Sequence, residues 1–222
     1  MRKLLYIITL AVVFTSCATP MTRSQRYPKM YSEKPAVLLV MPPINRTTNV
    51  EAKEAFYTSM NTVLIEKGYY VVSPTLAADF LKSESGYDTE MFFEGELNQF
   101  GNVFGADAVI FTVIDKWEKN GFGINTDIHY VIKSTKSNEI LFERKCNLFL
   151  DTSVSSSGGG VLGALVNIAA TAINTATTKH IEAARKCNYF VFDDLPSGKY
   201  RIDYQNDGEI ATGEPNISAR VK

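Results

Sequence analysis

Residues 36–54 read AVLLVMPPINRTTNVEAKE, and this stretch decides the fold. Ala36 to Met41 is an unbroken apolar run, long enough for a buried strand. Pro42 and Pro43 end it, since neither has an amide hydrogen to give to a ladder. A polar loop follows from Ile44 to Asn49. Thr48 with Glu51 three residues on fits a capping box, which predicts a helix start. Ala52, Phe56, Met60, Val63 and Leu64 then share one helical face. Gly68 is placed to stop the helix. Tyr69 to Val72 is a second strand, closed by Ser73 and Pro74.

The same alternation continues downstream. Thr75 to Leu81 reads as a short helix, and Glu94 to Phe104 as another that ends at Gly105, with a turn-like Ser83 to Asp88 between them. Asp107 to Ile114 is a third strand. This β-α-β order argues for an α/β layer with parallel strands. The period then changes to two. Ile124, Ile128, Tyr130 and Ile132 alternate with Asp127, His129 and Lys133; Ile140, Phe142, Cys146, Leu148 and Leu150 follow after a turn at Thr135 to Asn138. That is an antiparallel hairpin with one face buried and one wet. Ser155 to Gly160 reads as a hinge. Val161 to Cys187 is expected as one long helix rich in small residues, with no charge from Thr152 to Thr178. Asn167, Asn174 and four threonines argue against a membrane span, leaving a face packed on the sheet or docked on a partner. Tyr189 to Phe192 reads as a further apolar strand or anchor and Pro196 to Tyr200 as a turn. The expectation is one α/β domain over residues 35–203, a mixed sheet of about five strands flanked by helices, with the small-residue helix near the end. Residues 204–222 read as a flexible tail.

Ahead of this domain stand Met1, Arg2 and Lys3, an apolar run from Leu4 to Phe14, and then Thr15, Ser16 and Cys17. The run is too short to span a bilayer and has the form of a secretory leader. Phe14 to Cys17 resembles a lipobox, so Cys17 is expected to carry the lipid once residues 1–16 are removed. Acyl chains on one cysteine hold a protein to a membrane without a span. Residues 17–34, with Pro28, read as a polar tether. Ala18, not aspartate, follows the cysteine, which points to the bacterial outer membrane and a periplasm-facing domain. Loss of Arg2 and Lys3 with the leader moves the formal charge from −1 to −3, which gives no footprint for nucleic acid. An oxidising compartment permits a bridge between Cys146 and Cys187, the other reading being two buried thiols.

Chemistry is sparse. The two histidines, His129 and His180, have no acidic residues at ligand spacing, so no metal is expected. His129 with Asp127 reads as a solvated pair on a strand face. Cys146 keeps step with buried apolar residues, where a thiol is inert. Gly158 to Gly160 lacks the lysine and hydroxyl of a phosphate cradle, and no cofactor is expected. The best site candidate is the loop of Pro42, Pro43, Asn45, Arg46, Thr47 and Asn49. It lies beyond the carboxyl end of the first strand, where open α/β sheets bind ligands. Arg46 and Asn45 could read an anion or a peptide carbonyl there; the alternative is a rigid turn that caps the helix.

Six stretches carry a resemblance: residues 41–54, 66–71, 104–109 and 116–119, and also Ala183 to Arg185 and Asn188 to Tyr189. They resemble a family of bacterial lipoproteins of unknown function, over roughly residues 35–200. The resemblance implies an outer-membrane lipoprotein with a domain similar to the amino-terminal domain of TolB. Members are often encoded beside CsgG-type lipoproteins, which implies envelope proteins, a CsgG-type lipoprotein among them, as partners in a secretion or transport assembly. A homo-oligomer stays open. The family has no established catalytic residues, and the chain is not expected to be an enzyme. A lipoprotein activator of peptidoglycan synthesis is the second reading, because such activators also use a TolB-like domain. A hydrolase at the Pro42–Asn49 loop is the alternative from another class.

Overall fold

The computed structural model describes residues 20–83, 88–121, 123–151 and 176–221. Cys17, the glycine hinge and residues 161–175 of the expected long helix lie outside the described residues. The elements in chain order are α1 (Arg23–Arg26), α2 (Pro28–Glu33), β1 (Val37–Val40), β2 (Ile44–Asn45), α3 (Val50–Glu66), β3 (Tyr70–Val71), α4 (Pro74–Ser83), α5 (Glu90–Phe93), α6 (Asn98–Phe104), β4 (Ala108–Asn120), β5 (Gly123–Ser134), β6 (Ile140–Asp151), α7 (Ala176–Phe192) and β7 (Asn216–Val221).

The strands form one mixed sheet in the order β3-β1-β4-β5-β6-β7, with β2 paired to β4 off that path. β1 is parallel to both β3 and β4, as the β-α-β reading requires. β4, β5 and β6 are successive antiparallel partners. β1 and β2 are two parts of one path along β4, since Val40 pairs with Ile110 and Ile44 with Val113. The prolines interrupt that path without ending it. Met41 N–H still donates to Ile110 O, and Arg46 N–H to Ile114 O, both at 3.0 Å.

Strand alternation divides the core in two. Leu38, Val40, Ile110, Ile128, Tyr130, Phe142, Cys146 and Leu148 face α3 and α7. Leu39, Met41, Val109, Phe111 and Val131 face the other way, toward Ala77, Leu81, Leu97 and Phe100. The predicted face of α3 is the buried one: Ala52, Phe56, Met60, Val63 and Leu64 are all fully enclosed. Burying side chains of this size stabilises by roughly 1.5–3 kcal/mol each. Phe56 stands edge-on to Trp117, with ring centroids 5.3 Å apart.

Several expectations are corrected. The helix start is capped by Asn49, whose side chain accepts from Ala52 N–H, and not by Thr48. The Glu94–Phe104 helix is shortened to α6 (Asn98–Phe104), closed by Gly105 at φ +64°, and a separate one-turn helix, α5, precedes it at Glu90–Phe93. Tyr189 to Phe192 continue α7 instead of forming a strand, because Val191 and Phe192 complete the buried stripe begun by Ala183, Ala184 and Cys187. Among the described residues the sheet has seven strands, the extra ones being the short β2 and the late β7.

The two segments expected to be loose belong to the fold. Described residues 20–34 are no tether: Tyr27 and Met30 are buried in the core. The tail is ordered too, with β7 pairing in parallel along β6 from Asn216 to Val221. A buried ion pair joins the two segments. Arg23 Nη1 meets Asp207 Oδ2 at 2.9 Å, with the Asp207 side chain fully enclosed. Tyr31 Oη and Ser197 N–H also donate to Asp207, at 2.9 and 2.7 Å. Neither charge shows up as hydrophobic periodicity, so the sequence pattern could not announce it.

Removing one member of such a pair strands the other without its counter-charge. Asp207→Ala should therefore destabilise the domain by about 3–5 kcal/mol, read from urea unfolding, while the paired change Arg23→Met with Asp207→Leu should cost less than Asp207→Ala alone.

Candidate functional site

The loop after β1 is built almost entirely from its own polar groups. Asn45 Nδ2 donates to Asn49 O at 2.7 Å. Thr47 donates both its N–H and its hydroxyl to Asn45 Oδ1, at 3.1 and 2.8 Å. Asn49 N–H donates to Thr47 Oγ1 at 3.2 Å, and Asn49 Oδ1 accepts from Ala52 N–H at 3.1 Å. Pro42 and Pro43 are buried beneath, and Thr89 Oγ1 donates to Pro42 O at 2.7 Å. Arg46 is the outward member; its Nη1 lies 3.0 Å from Asp115 Oδ1 in an exposed pair. The six residues singled out in the sequence are thus brought together as a rigid turn capping α3, with Arg46 the one guanidinium presented to solvent.

Behind this turn lie buried polar groups that the sequence did not single out. Tyr130 Oη donates to Asn188 Oδ1 at 2.9 Å, and Asn188 Nδ2 donates to Ser59 Oγ at 3.0 Å. Ser59 Oγ in turn donates to Ala55 O at 2.6 Å. This chain stitches β5, α7 and α3 together, and its pairing answers the cost of burying amide and hydroxyl groups. Cys187 Sγ sits 3.2 Å from Tyr130 Oη. The expected bridge is replaced here by two free, buried thiols at Cys146 and Cys187. Cys187 has a hydrogen-bond partner in Tyr130 Oη, and Cys146 fills an inward position on β6. Burial pushes the Cys146 thiol up to about 12 and Cys187 well above the usual range, so both stay protonated and inert.

His180 has a more particular setting. Trp117 Nε1 lies 2.7 Å from His180 Nδ1. Indole N–H is only a donor, so Nδ1 must be the acceptor and the neutral ring carries its proton on Nε2. Nε2 points toward Glu51, 3.7 Å from Oε2. Burial pushes the imidazole below its usual value, Glu51 raises it in part, and Lys119 lowers it. His129, expected beside Asp127, is instead 2.7 Å from Glu143 Oε1 on the neighbouring strand.

Asp107 is another residue with a structural task. Its Oδ2 accepts from the N–H groups of Ala36 and Val37, at 3.0 and 3.1 Å, and so fixes the start of β1. It also borders an open depression of about 420 Å³ with Asn98, Asn102, Thr135 and Lys136. Among the described residues no group of three or more His, Cys, Asp or Glu is gathered as a metal would need. No helix among them is long and apolar enough to cross a membrane.

One exposed region is held firmly. Gly198 N–H donates to Lys67 O at 2.7 Å and Tyr200 N–H to Gly68 O at 2.9 Å. Gly68, at φ +85°, lies so close to Arg201 that a Cβ there would meet Arg201 Cγ at 2.5 Å. Arg201 also pairs with Asp203, holding that carboxyl down to about 2. This frame turns Tyr200 outward and leaves Ile202 fully exposed.

A mixed sheet covered by helices on both faces, in a chain whose Phe14–Cys17 stretch resembles a lipobox, fits an α/β lipoprotein, and the family match gives that class. The family model described as "Putative lipoprotein GNA1162-like" matches residues 25–194, and the chain belongs to that family. The lipoprotein family expected from the motifs is borne out. A relative from Neisseria meningitidis described as "Putative lipoprotein NMB1124/NMB1162" is 21% identical over 197 residues, covering 85% of this chain and 89% of that protein. The crystal structure of lipoprotein GNA1162 from Neisseria meningitidis is similar with a TM-score of 0.48 and 22% identity, covering 61% of this chain and 94% of that one. The C-terminal domain of LpoB from Escherichia coli follows with a TM-score of 0.35 and 18% identity, over 55% of this chain and 95% of that domain.

Two measurements check the geometry. Asn49→Ala should lower stability by about 1 kcal/mol through loss of the cap, whereas Arg46→Ala should change it by less than about 0.5 kcal/mol, both read by chemical denaturation. The second concerns His180. Its folded value is depressed, so the unfolded chain takes up the proton first as pH falls below the usual 6.5. Its contribution is therefore complete above pH 6.5, is lost as pH falls toward the depressed value, and is level below it. His180→Gln keeps an acceptor for Trp117 and should flatten that part of the stability–pH curve.

Proposed function

We propose that this is a lipid-anchored protein of the outer membrane, facing the periplasm, that works without catalysis by binding other envelope proteins in a secretion or transport assembly. The observation that carries the reading is the contrast between its polar and apolar groups. The polar side chains of the Pro42–Asn49 loop are spent on one another, while Tyr200 and Ile202 are held outward on a tightly braced loop. Exposed apolar anchors on a rigid frame are what a protein interface uses, because little conformational freedom is lost on binding. Family membership and the lipobox at Cys17 support the membrane address. A CsgG-type lipoprotein is the first partner to look for.

The test is photo-cross-linking in cells from position 202, with exposed Asp79 on α4 as the control position. A discrete envelope protein captured from 202 and not from 79 is expected. A domain that stays monomeric and captures nothing from 202 defeats the reading. A peptidoglycan synthase as the captured protein would move the function to activation of wall synthesis.

A further inference from the structure

The backbone is locked to the domain from Met21 onward. Thr22 pairs with Ala211 in an antiparallel bridge. Thr212 N–H donates to Met21 O at 2.8 Å, and Arg23 N–H donates to Ile210 O at 2.9 Å. Cys17 is only four residues before Met21. Whatever its conformation, that length of chain spans at most about 14 Å between Cα atoms. The headgroup layer of a bilayer is itself about 5–8 Å thick. Acyl chains on Cys17 must enter the hydrocarbon, so Met21 can stand no more than about 6–9 Å above the headgroups, less than the width of one helix. A domain fastened that close has one face committed to the membrane.

The surface beside the attachment point is suited to that position. Met21 is 49% exposed and Ile210 is 47% exposed, and the two flank the bridge that fixes the entering chain. α4, with exposed Leu76, covers the opposite face of the sheet.

We propose that the face carrying Met21 and Ile210 rests on the lipid bilayer, with both side chains in the boundary between headgroups and acyl chains. This rests on the lipidation of Cys17. The occupant is lipid because the short reach from Cys17 leaves no room for a folded partner between this face and the membrane. The anchored domain is then held in one orientation, with α4 to α6 away from the bilayer.

The test uses the full-length lipidated protein in phosphatidylethanolamine–phosphatidylglycerol vesicles. Met21→Cys, Ile210→Cys and Leu76→Cys variants each carry an environment-sensitive fluorophore; Cys146 and Cys187 are fully buried and escape labelling. Labels at 21 and 210 should be quenched by lipid-borne nitroxide at least roughly twofold more than the label at 76, and correspondingly less by iodide in water. Inserting about twelve Gly/Ser residues after Thr19 should abolish that difference while the protein still floats with the vesicles, since such a linker reaches on the order of 20 Å. Vesicle-bound protein whose three labels respond alike overturns the membrane-facing surface and leaves lipidation standing. Labels shielded from iodide but untouched by nitroxide show that protein covers the face, which also overturns it. Protein that does not float removes the lipidation reading and this proposal together.

Discussion

The carboxylate of Asp207 is the interaction on which the outer parts of this molecule depend. It is fully enclosed and accepts from Arg23, Tyr31 and the Ser197 backbone at once. A buried carboxylate with one counter-ion is a poor source of net stability, because desolvation cancels much of the attraction. Its value here is positional. Nothing apolar in residues 20–24 and 193–212 is extensive enough to specify how they lie together. The charge pair fixes them by making every other arrangement leave a charge unsatisfied. Arg144 does similar work nearby, donating to Val191 O at 2.8 Å and pairing with Asp194 at 2.9 Å. Two guanidiniums thus tie the end of α7 and the late loops to the sheet.

What the sequence disclosed follows from this division of labour. The face of α3 and the alternation in β5 and β6 were legible because each element buries one side against a continuous core. Periodicity is the direct imprint of that one-sidedness. The order of residues 20–34 and 204–221 was missed for two reasons: the Arg23–Asp207 pair, 184 positions apart, leaves no period, and the alternation of Ile217, Ala219 and Val221 in β7 is too short to stand out. Tyr189 to Phe192 misled for a different reason. Their β-propensity is high, yet Val191 and Phe192 continue the helical spacing of Ala184 and Cys187, and packing overrides local preference. The helix start was misplaced by one residue because Thr48 and Asn49 are both good caps; the internal bonding of the loop selects Asn49.

The candidate loop was legible as a unit but not in its purpose. All six of its residues come together, yet the hydrogen bonds among Asn45, Thr47 and Asn49 show that its polarity faces inward on itself. The Trp117–His180 pair and the Tyr130–Asn188–Ser59 chain were missed, since each joins residues far apart in sequence. A signal existed in part: Trp117, Asn188 and Asp107 all lie in the stretches that carry the family resemblance. Their placement shows that these motifs record how the domain holds its layers together. Cys146 and Cys187, which lie outside those stretches, occupy core positions, the second in contact with Tyr130 Oη.

The parallel pairing of β6 with β7 has a bearing on how the chain is made. The last strand described in the sheet comes from Asn216–Val221, and the carboxylate that secures the first helices is Asp207. A chain emerging from amino to carboxyl end cannot complete this edge or neutralise Arg23 until residues 207–221 have been made. Early folding of this domain is therefore incomplete by construction: α1, α2 and the outer edge of β6 wait for partners made about 65 to 190 residues later. Closure is a late event set by topology, whatever the stability of the elements formed first.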